Sequence, residues 1–211
     1  TDGNRLAWAE APCEGALVYE RRRVLPLPAV VALRALTERD SHVTLGLTAT
    51  DVVAEQDGRI LAVPLLDTVF PDYAAVLPTG AAIHVIADRE ALLAALAHVR
   101  AVGDSTIRVT VTAEGLTLWC RNFSVAEATA TVPAEVDGLV AAEAATSLTV
   151  GLSAGFLADA LATIRADRVR FGLNGVLAPI AVTGVGDASV LVILMPVRRT
   201  LARLPAPPEA P

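Results

Sequence analysis

The sequence predicts an α+β fold of repeated units, each an amphipathic helix followed by antiparallel strands, with the helices on one face of the sheets. Two observations carry this reading. Apolar residues recur at helical spacing in three separate stretches, and each stretch gives way to strand-like alternation. The strands are joined by turns too short for a parallel crossover, so neighbouring strands should run antiparallel.

Taken in order, the opening TDGNRLA carries turn chemistry, because Gly3 and Asn4 tolerate positive φ at little cost. A tight turn in that place, before only one complete helix-strand unit, leads us to expect that Thr1 is a cut within a longer chain. The first helix is expected in PLPAVVALRALTERD, where Pro28 is pre-set for a first turn. HVTLGLTATDVVAEQDGRILAVPLL then alternates apolar and polar residues around an Asp57-Gly58 turn. FPDYAAVLPTGA, with Pro71, Pro78 and Gly80, reads as a boundary between globular parts.

The second helix is expected in DREALLAALAHVRAV, capped by Asp88, with Leu92, Leu93, Leu96 and Val99 on one face. TIRVTVTAEGLTLWC follows it as strands. The third helix is SAGFLADALATIRAD, capped by Ser153, with Phe156, Leu157, Ala160, Leu161 and Ile164 facing inward. RVRFGLNGVLAPIAVTG continues it, and Gly184–Asp187 (GVGD) is read as a hairpin turn. FSVAEATATV, TSLTVGL and SVLVILMPV supply further strands. The expected division is 1–80, 81–199 and a Pro-rich, disordered tail over 200–211.

The chain has 211 residues, is 54% hydrophobic and carries a formal charge of −6. Its mean hydropathy is +0.53. The apolar run Val190–Val197 is only eight residues, a buried strand rather than a bilayer span, so no membrane partner is expected. All 17 Lys/Arg-class residues are arginine. The acidic balance argues against nonspecific wrapping of nucleic acid, although a local basic face stays open. Arg34, Arg39, Arg89, Arg100, Arg165 and Arg168 recur near the helices and are candidates for a phosphate-facing track; the alternative is ordinary exposed helix charge. Arg21-Arg22-Arg23 reads as a solvated edge.

Cys13 and Cys120 lack metal-ligand spacing and read as reduced core thiols. His42, His84 and His98 are scattered. Neither HExxH, GxSxG, a phosphate-binding Gly loop nor a dinucleotide fingerprint is present, so no catalytic residue, metal or cofactor is expected. LVILMPVRR is a core strand or, alternatively, the floor of an apolar groove.

Five segments in order and spacing resemble the bacterial DNA polymerase III β sliding clamp family. TDGNRLA looks like its TDG-x-RLA turn, VLPLPAVVALRAL like the following strand and helix, and FPDYAAVLP like its FPDY-xx-VLP linker. VGLSAGFLADALATIRADRVRFGL is similar to its third-domain helix and strand, and PIAVTGVGDASVLVILMPVR to its final hairpin. The resemblance spans residues 1 to about 199 and implies a DNA clamp fold. Residues 1–80 would be the second half of the middle domain, and 81–199 the C-terminal domain.

That resemblance implies a nonenzymatic, cytoplasmic, nucleoid-associated processivity factor. It would act as a homodimeric ring around duplex DNA when full length, and dock the polymerase III catalytic subunit, the clamp loader and other clamp-motif proteins. The runner-up is a divergent or truncated paralogue that docks peptides without encircling DNA. Carried over by position, the peptide pocket would use Thr1, Gly3, Asn4, Arg5 and Leu6, then Pro71, Ala75 and Val76, then Pro179, Ile193, Leu194, Met195, Pro196, Val197 and Arg198. Its ring interface would use Val99, Val102 and Glu127, near a strand around Ser124–Ala130. The family often has His where Asn4 stands, so partner preference is expected to differ there.

Overall fold

The computed structural model describes residues 1–15, 22–37, 42–103, 105–122, 126–139 and 147–197. The chain forms two compact units, one of Thr1–Ala11 together with the chain from Tyr73 onward, the other of Pro12–Asp72. This differs from the expected break at 80/81, and for a physical reason. The opening segment becomes a strand, β1 (Arg5–Ala9), that pairs with the last strand of the chain rather than with its sequence neighbours. Arg39, Arg198 and the tail 200–211, for which the sequence raises expectations, lie outside the described residues.

In the unit Pro12–Asp72, α1 (Leu27–Leu36) begins with Pro at its first turn, as its sequence requires. It is followed by β2 (Thr44–Leu47), β3 (Asp51–Gln56) and β4 (Arg59–Pro64), an antiparallel sheet in the order β2-β3-β4. Asp57 and Gly58 both take positive φ, 51° and 74°, which is the two-residue hairpin turn expected of Asp-Gly. An isolated antiparallel bridge joins Val24, ahead of the helix, to Leu66. Ala29, Val52 and Val63 form a small buried core with Leu33 and Leu61 packed against it.

The other unit holds β5 (Ile83–Asp88), α2 (Arg89–Arg100), β6 (Thr106–Thr112), β7 (Gly115–Asn122) and β8 (Ala126–Asp137). The same order then recurs as β9 (Leu148–Ser153), α3 (Ala154–Thr163), β10 (Arg168–Leu173), β11 (Ile180–Gly184) and β12 (Asp187–Leu194). Each copy is a strand, a helix and three strands. Asp88 caps α2 by accepting from the Ala91 N–H at 2.7 Å, and Ser153 caps α3 by accepting from Phe156 N–H at 3.3 Å.

The copies interlock. One nine-stranded antiparallel sheet runs β1-β12-β11-β10-β5-β8-β7-β6-β9. Within it β10 of the second copy pairs with β5 of the first, and β6 of the first pairs with β9 of the second. The helices pack on one another over one face of the sheet. Leu92, Leu96, Val99, Leu157 and Leu161 bury against Ile107, Val111, Leu118, Val150 and Val182. Past β12, Val197 N–H donates to the Gly151 carbonyl of β9 at 2.8 Å, so the exit of the last strand reaches the opposite end of the sheet.

Cys120 is buried as expected, but Cys13 is exposed; both are free thiols. Among the described residues, no helix is long and apolar enough to cross a membrane.

Candidate functional site

The site grows from the turn at the start of the chain. Asp2 Oδ1 accepts from the N–H groups of Asn4 and Arg5, at 3.0 and 3.1 Å, and Thr1 Oγ1 donates to the Arg5 carbonyl at 2.8 Å. Gly3 sits at φ +84°, a conformation that a side chain would strain. The turn delivers the chain into β1, which runs antiparallel to β12 with Leu6 opposite Ile193 and Arg5 opposite Leu194. Met195 N–H closes the ladder on the Asn4 carbonyl at 2.9 Å. Residues about 190 positions apart thus meet in one register.

Strand alternation sorts the side chains into two faces. Arg5 reaches the helix face, where its guanidinium lies 4.3 Å from the Phe156 ring centroid and bonds the Asp159 carboxylate. Its Nε also pairs with Asp2 Oδ2 at 3.1 Å. The Asp159 bond, ahead of the opposing effect of burial, raises the Arg5 pKa, and the Asn4 N–H leads the interactions that hold the Asp2 carboxyl below its ordinary value. Leu6 and Ile193 face the other way, on the helix-free side of the sheet, and are 7% and 1% exposed. Ala181 of β11 pairs with Ile193 in the same row.

Beyond this row the chain presents Met195, 37% exposed, followed by the partly buried Pro196 and Val197. Val76, in the short 3-10 turn Tyr73–Val76, is exposed, and Ala75 beside it is too. Pro179, just before β11, is partly buried. The loop that leads to it exposes Val176 and Leu177, two apolar residues that sequence reasoning missed. Two such residues after Asn174-Gly175, where a turn would ordinarily be polar, were the available signal.

One expected residue points away from this row, and another lies in the Pro12–Asp72 unit. Leu194 is 2% exposed on the helix face and packs in the core, since alternation turns it away from Ile193. Pro71 belongs to the other unit. Thr1, Gly3, Asn4, Arg5, Leu6, Ala75, Val76, Pro179, Ile193, Met195, Pro196 and Val197 all lie in the unit that carries the nine-stranded sheet.

The candidate DNA-facing arginines do not form one set. Arg34, Arg100 and Arg165 are exposed. Arg89 is partly buried, donates to the Ala166 carbonyl and pairs with Glu90 at 2.5 Å. Arg168 alternates with the core residue Val169, so it projects from the helix-free face, where it meets Glu135 at 2.5 Å. Of the expected ring-interface residues, Val99 is fully buried and Val102 is 9% exposed, both in the core. Only Glu127 lies at the surface, on β8, accepting from the Trp119 indole N–H at 2.9 Å. β5 pairs with β8 only over Ala134–Asp137, which leaves the first part of β8 bonded on its β7 side alone in the described ladders.

The arrangement joins a buried apolar row, Leu6 and Ile193, to the exposed Met195 on a backbone tied by the β1–β12 ladder. Among the described residues no cluster of His, Cys, Asp or Glu could hold a metal ion.

Comparison with known proteins agrees with the fold. Residues 74–198 match the family model for the DNA polymerase III beta subunit, C-terminal domain. The chain is 26% identical over 202 residues to the beta sliding clamp of Vibrio cholerae, covering 94% of this chain and 53% of that protein. It is 27% identical, with the same coverages, to the beta sliding clamp of Pseudomonas aeruginosa. The crystal structure of the Pseudomonas aeruginosa DNA polymerase sliding clamp with ligand superposes with a TM-score of 0.84 at 26% identity, over 94% of this chain and 53% of that one. A sliding clamp from Bartonella birtlesii bound to griselimycin gives the same TM-score, identity and coverages. The chain therefore spans about half the length of the curated relatives it matches.

Proposed function

Because the chain belongs to the DNA polymerase III beta subunit family, we propose that it serves as part of a DNA sliding clamp, a nonenzymatic processivity factor that docks its partners through short linear peptides. One observation carries the docking reading. The first turn and the last strand are stitched together by the β1–β12 ladder and the Met195–Asn4 hydrogen bond, so that Leu6, Ile193 and Met195 share one apolar neighbourhood. Such a surface receives the aliphatic and aromatic side chains of a peptide, while exposed strand-end groups orient its backbone. Polymerase subunits, the clamp loader and repair proteins are the proposed partners, met in the cytoplasm at the nucleoid, with affinities of about micromolar, or roughly 8 kcal/mol.

Titration of a labelled Gln-Leu-aliphatic-Leu-Phe peptide tests this. Saturable binding that is lost in Met195→Asp and Leu6→Asp is the expected result; no binding to the wild-type chain overturns it.

A second reading is compatible with the ion pairs that two of the arginines make. Arg89 and Arg168 are held in ion pairs, and Arg168 leaves the helix side altogether. On that reading the chain docks peptides without encircling DNA. Retention on nicked circular DNA that is released by linearisation supports encirclement. Peptide binding without such retention supports the docking module.

A further inference from the structure

Strand β10 ends its pairing with β5 at Leu173, opposite Ile83. One residue further on, a side chain takes over from the backbone. The Asn174 amide donates through Nδ2 to the Gly80 carbonyl at 2.6 Å and accepts through Oδ1 from the Ala82 N–H at 2.8 Å. A planar amide carries donor and acceptor side by side, so it meets both backbone groups of an extended segment at once. An Asp would keep the acceptor alone, and an Ala neither.

Packing holds the same three residues. Gly172 alternates with the core residues Phe171 and Leu173, so its open side belongs to the helix-free face, yet it is buried. Ala81 covers it: a Cβ on Gly172 would stand 3.0 Å from the Ala81 Cβ, tighter than ordinary contact. Gly172 is not at positive φ, so the niche rather than the backbone calls for glycine there. A Cβ on Gly138 would likewise run into the Ala82 carbonyl.

This clasped segment sits on the row that leads to Leu6. From Gly172 the cross-strand partners are Ala181, Ile193 and Leu6 in turn. Neighbouring strands lie about 4.8 Å apart, which puts Ile193 roughly 10 Å and Leu6 roughly 14 Å from Gly172. Val76 precedes Ala81 by five residues, a length that extends to at most about 18 Å. The clasp therefore tethers Val76 within reach of both.

We propose that Asn174 is a positioning residue for peptide docking: its amide, with the niche over Gly172, fixes Gly80–Ala82 and so holds Ala75 and Val76 as a wall beside the Leu6–Ile193 row. The inference deepens the peptide-docking proposal and rests on it. Asn174 acts through the wall and does not itself touch the peptide.

The test is a double-mutant cycle on the 211-residue chain, read by anisotropy with the labelled Gln-Leu-aliphatic-Leu-Phe peptide. Asn174→Ala should weaken binding about fivefold, and Asn174→Asp less. Val76→Ala should cost about threefold in the wild type but almost nothing on top of Asn174→Ala, because the wall is already displaced. Gly172→Val, which expels Ala81 and keeps the amide, should reproduce both the loss and the non-additivity. Amide exchange should accelerate at Ala82 in Asn174→Ala and stay unchanged at Ile107 and Leu157, which separates a moved segment from a damaged core. Losses from Asn174→Ala and Val76→Ala that simply add overturn the inference and leave peptide docking standing. Wild-type affinity in both Asn174→Ala and Gly172→Val does the same. A wild-type chain that binds no peptide overturns both.

Discussion

Met195→Ala is the most direct probe of the proposed docking surface. The side chain is 37% exposed, so about a third of its apolar surface is available to a ligand. Complete burial of a Met side chain is worth about 1.5–3 kcal/mol, which leaves roughly 0.6–1.1 kcal/mol for that third. The peptide side chain that covers it loses a similar area from water. Together the contact should contribute about 1–2 kcal/mol, and its loss should weaken binding roughly 5- to 30-fold.

Fluorescence anisotropy with a labelled clamp-motif peptide measures this directly. Val69→Ala is the control, an equally apolar change in the other unit at a residue 92% exposed, and it should leave the dissociation constant unaltered. The thermal midpoint of Met195→Ala should stay close to wild type, because the residue follows β12 and lies outside the core cluster. A change in affinity below twofold, with the fold intact, would refute the assignment of Met195 to the contact surface. Equal weakening by Val69→Ala would refute it as well.

Gly115→Ala should be strongly destabilising, by about 2–4 kcal/mol in denaturant melts, since φ is +145° and the new Cβ would stand 2.4 Å from the Val132 carbonyl. Arg5→Ala should speed amide exchange along β1 while lowering global stability by no more than about 1 kcal/mol, because Arg5 and Asp159 are 36% and 66% exposed and solvent screens the pair. The Asp2 carboxyl has a folded-state pKa below its ordinary 3.8, so its hold on the turn is complete above that value and lost as pH falls through the lower one. Amide exchange at Asn4 and Arg5 should therefore accelerate in that acid window, and Asp2→Asn should remove the dependence.

The elements that sequence reasoning placed well are those whose signals are local. The caps Asp88 and Ser153 and the Asp57-Gly58 turn act over two to four residues, and the structure has all three where expected. What stayed illegible depends on distant partners. β5 went unread because IHVIAD follows a breaker-rich segment, and its identity as a central strand comes from β8 and β10 on either side. The opening segment shows only turn chemistry in the sequence, because the partner of β1 lies at the far end of the chain. Positional transfer from the resemblance named the stretch Ile193–Val197 without separating its faces. Only the register shows that Ile193 and Leu194 point to opposite sides of the sheet.

The register also bears on the proposed docking at this end of the sheet. β1 is the terminal strand and is bonded within the sheet to β12 alone, whereas β10, β5 and β7 each have two neighbours. Terminal strands open at lower free energy than central ones, so β1 is the part of the sheet most able to adjust to a ligand. Unrestrained, it would fray and take Leu6 out of position. Asp2, Asp159 and Phe156 oppose this by holding Arg5 from three directions on the helix face. They leave the opposite face, with Leu6 beside Ile193, free of charge. One side of the strand is thus anchored by polar contacts to α3, and the other is apolar, with Leu6 and Ile193 buried beneath the exposed Met195 that follows β12. On the proposed docking reading, such a strand would receive peptides of differing sequence at modest affinity without the core beneath it having to repack.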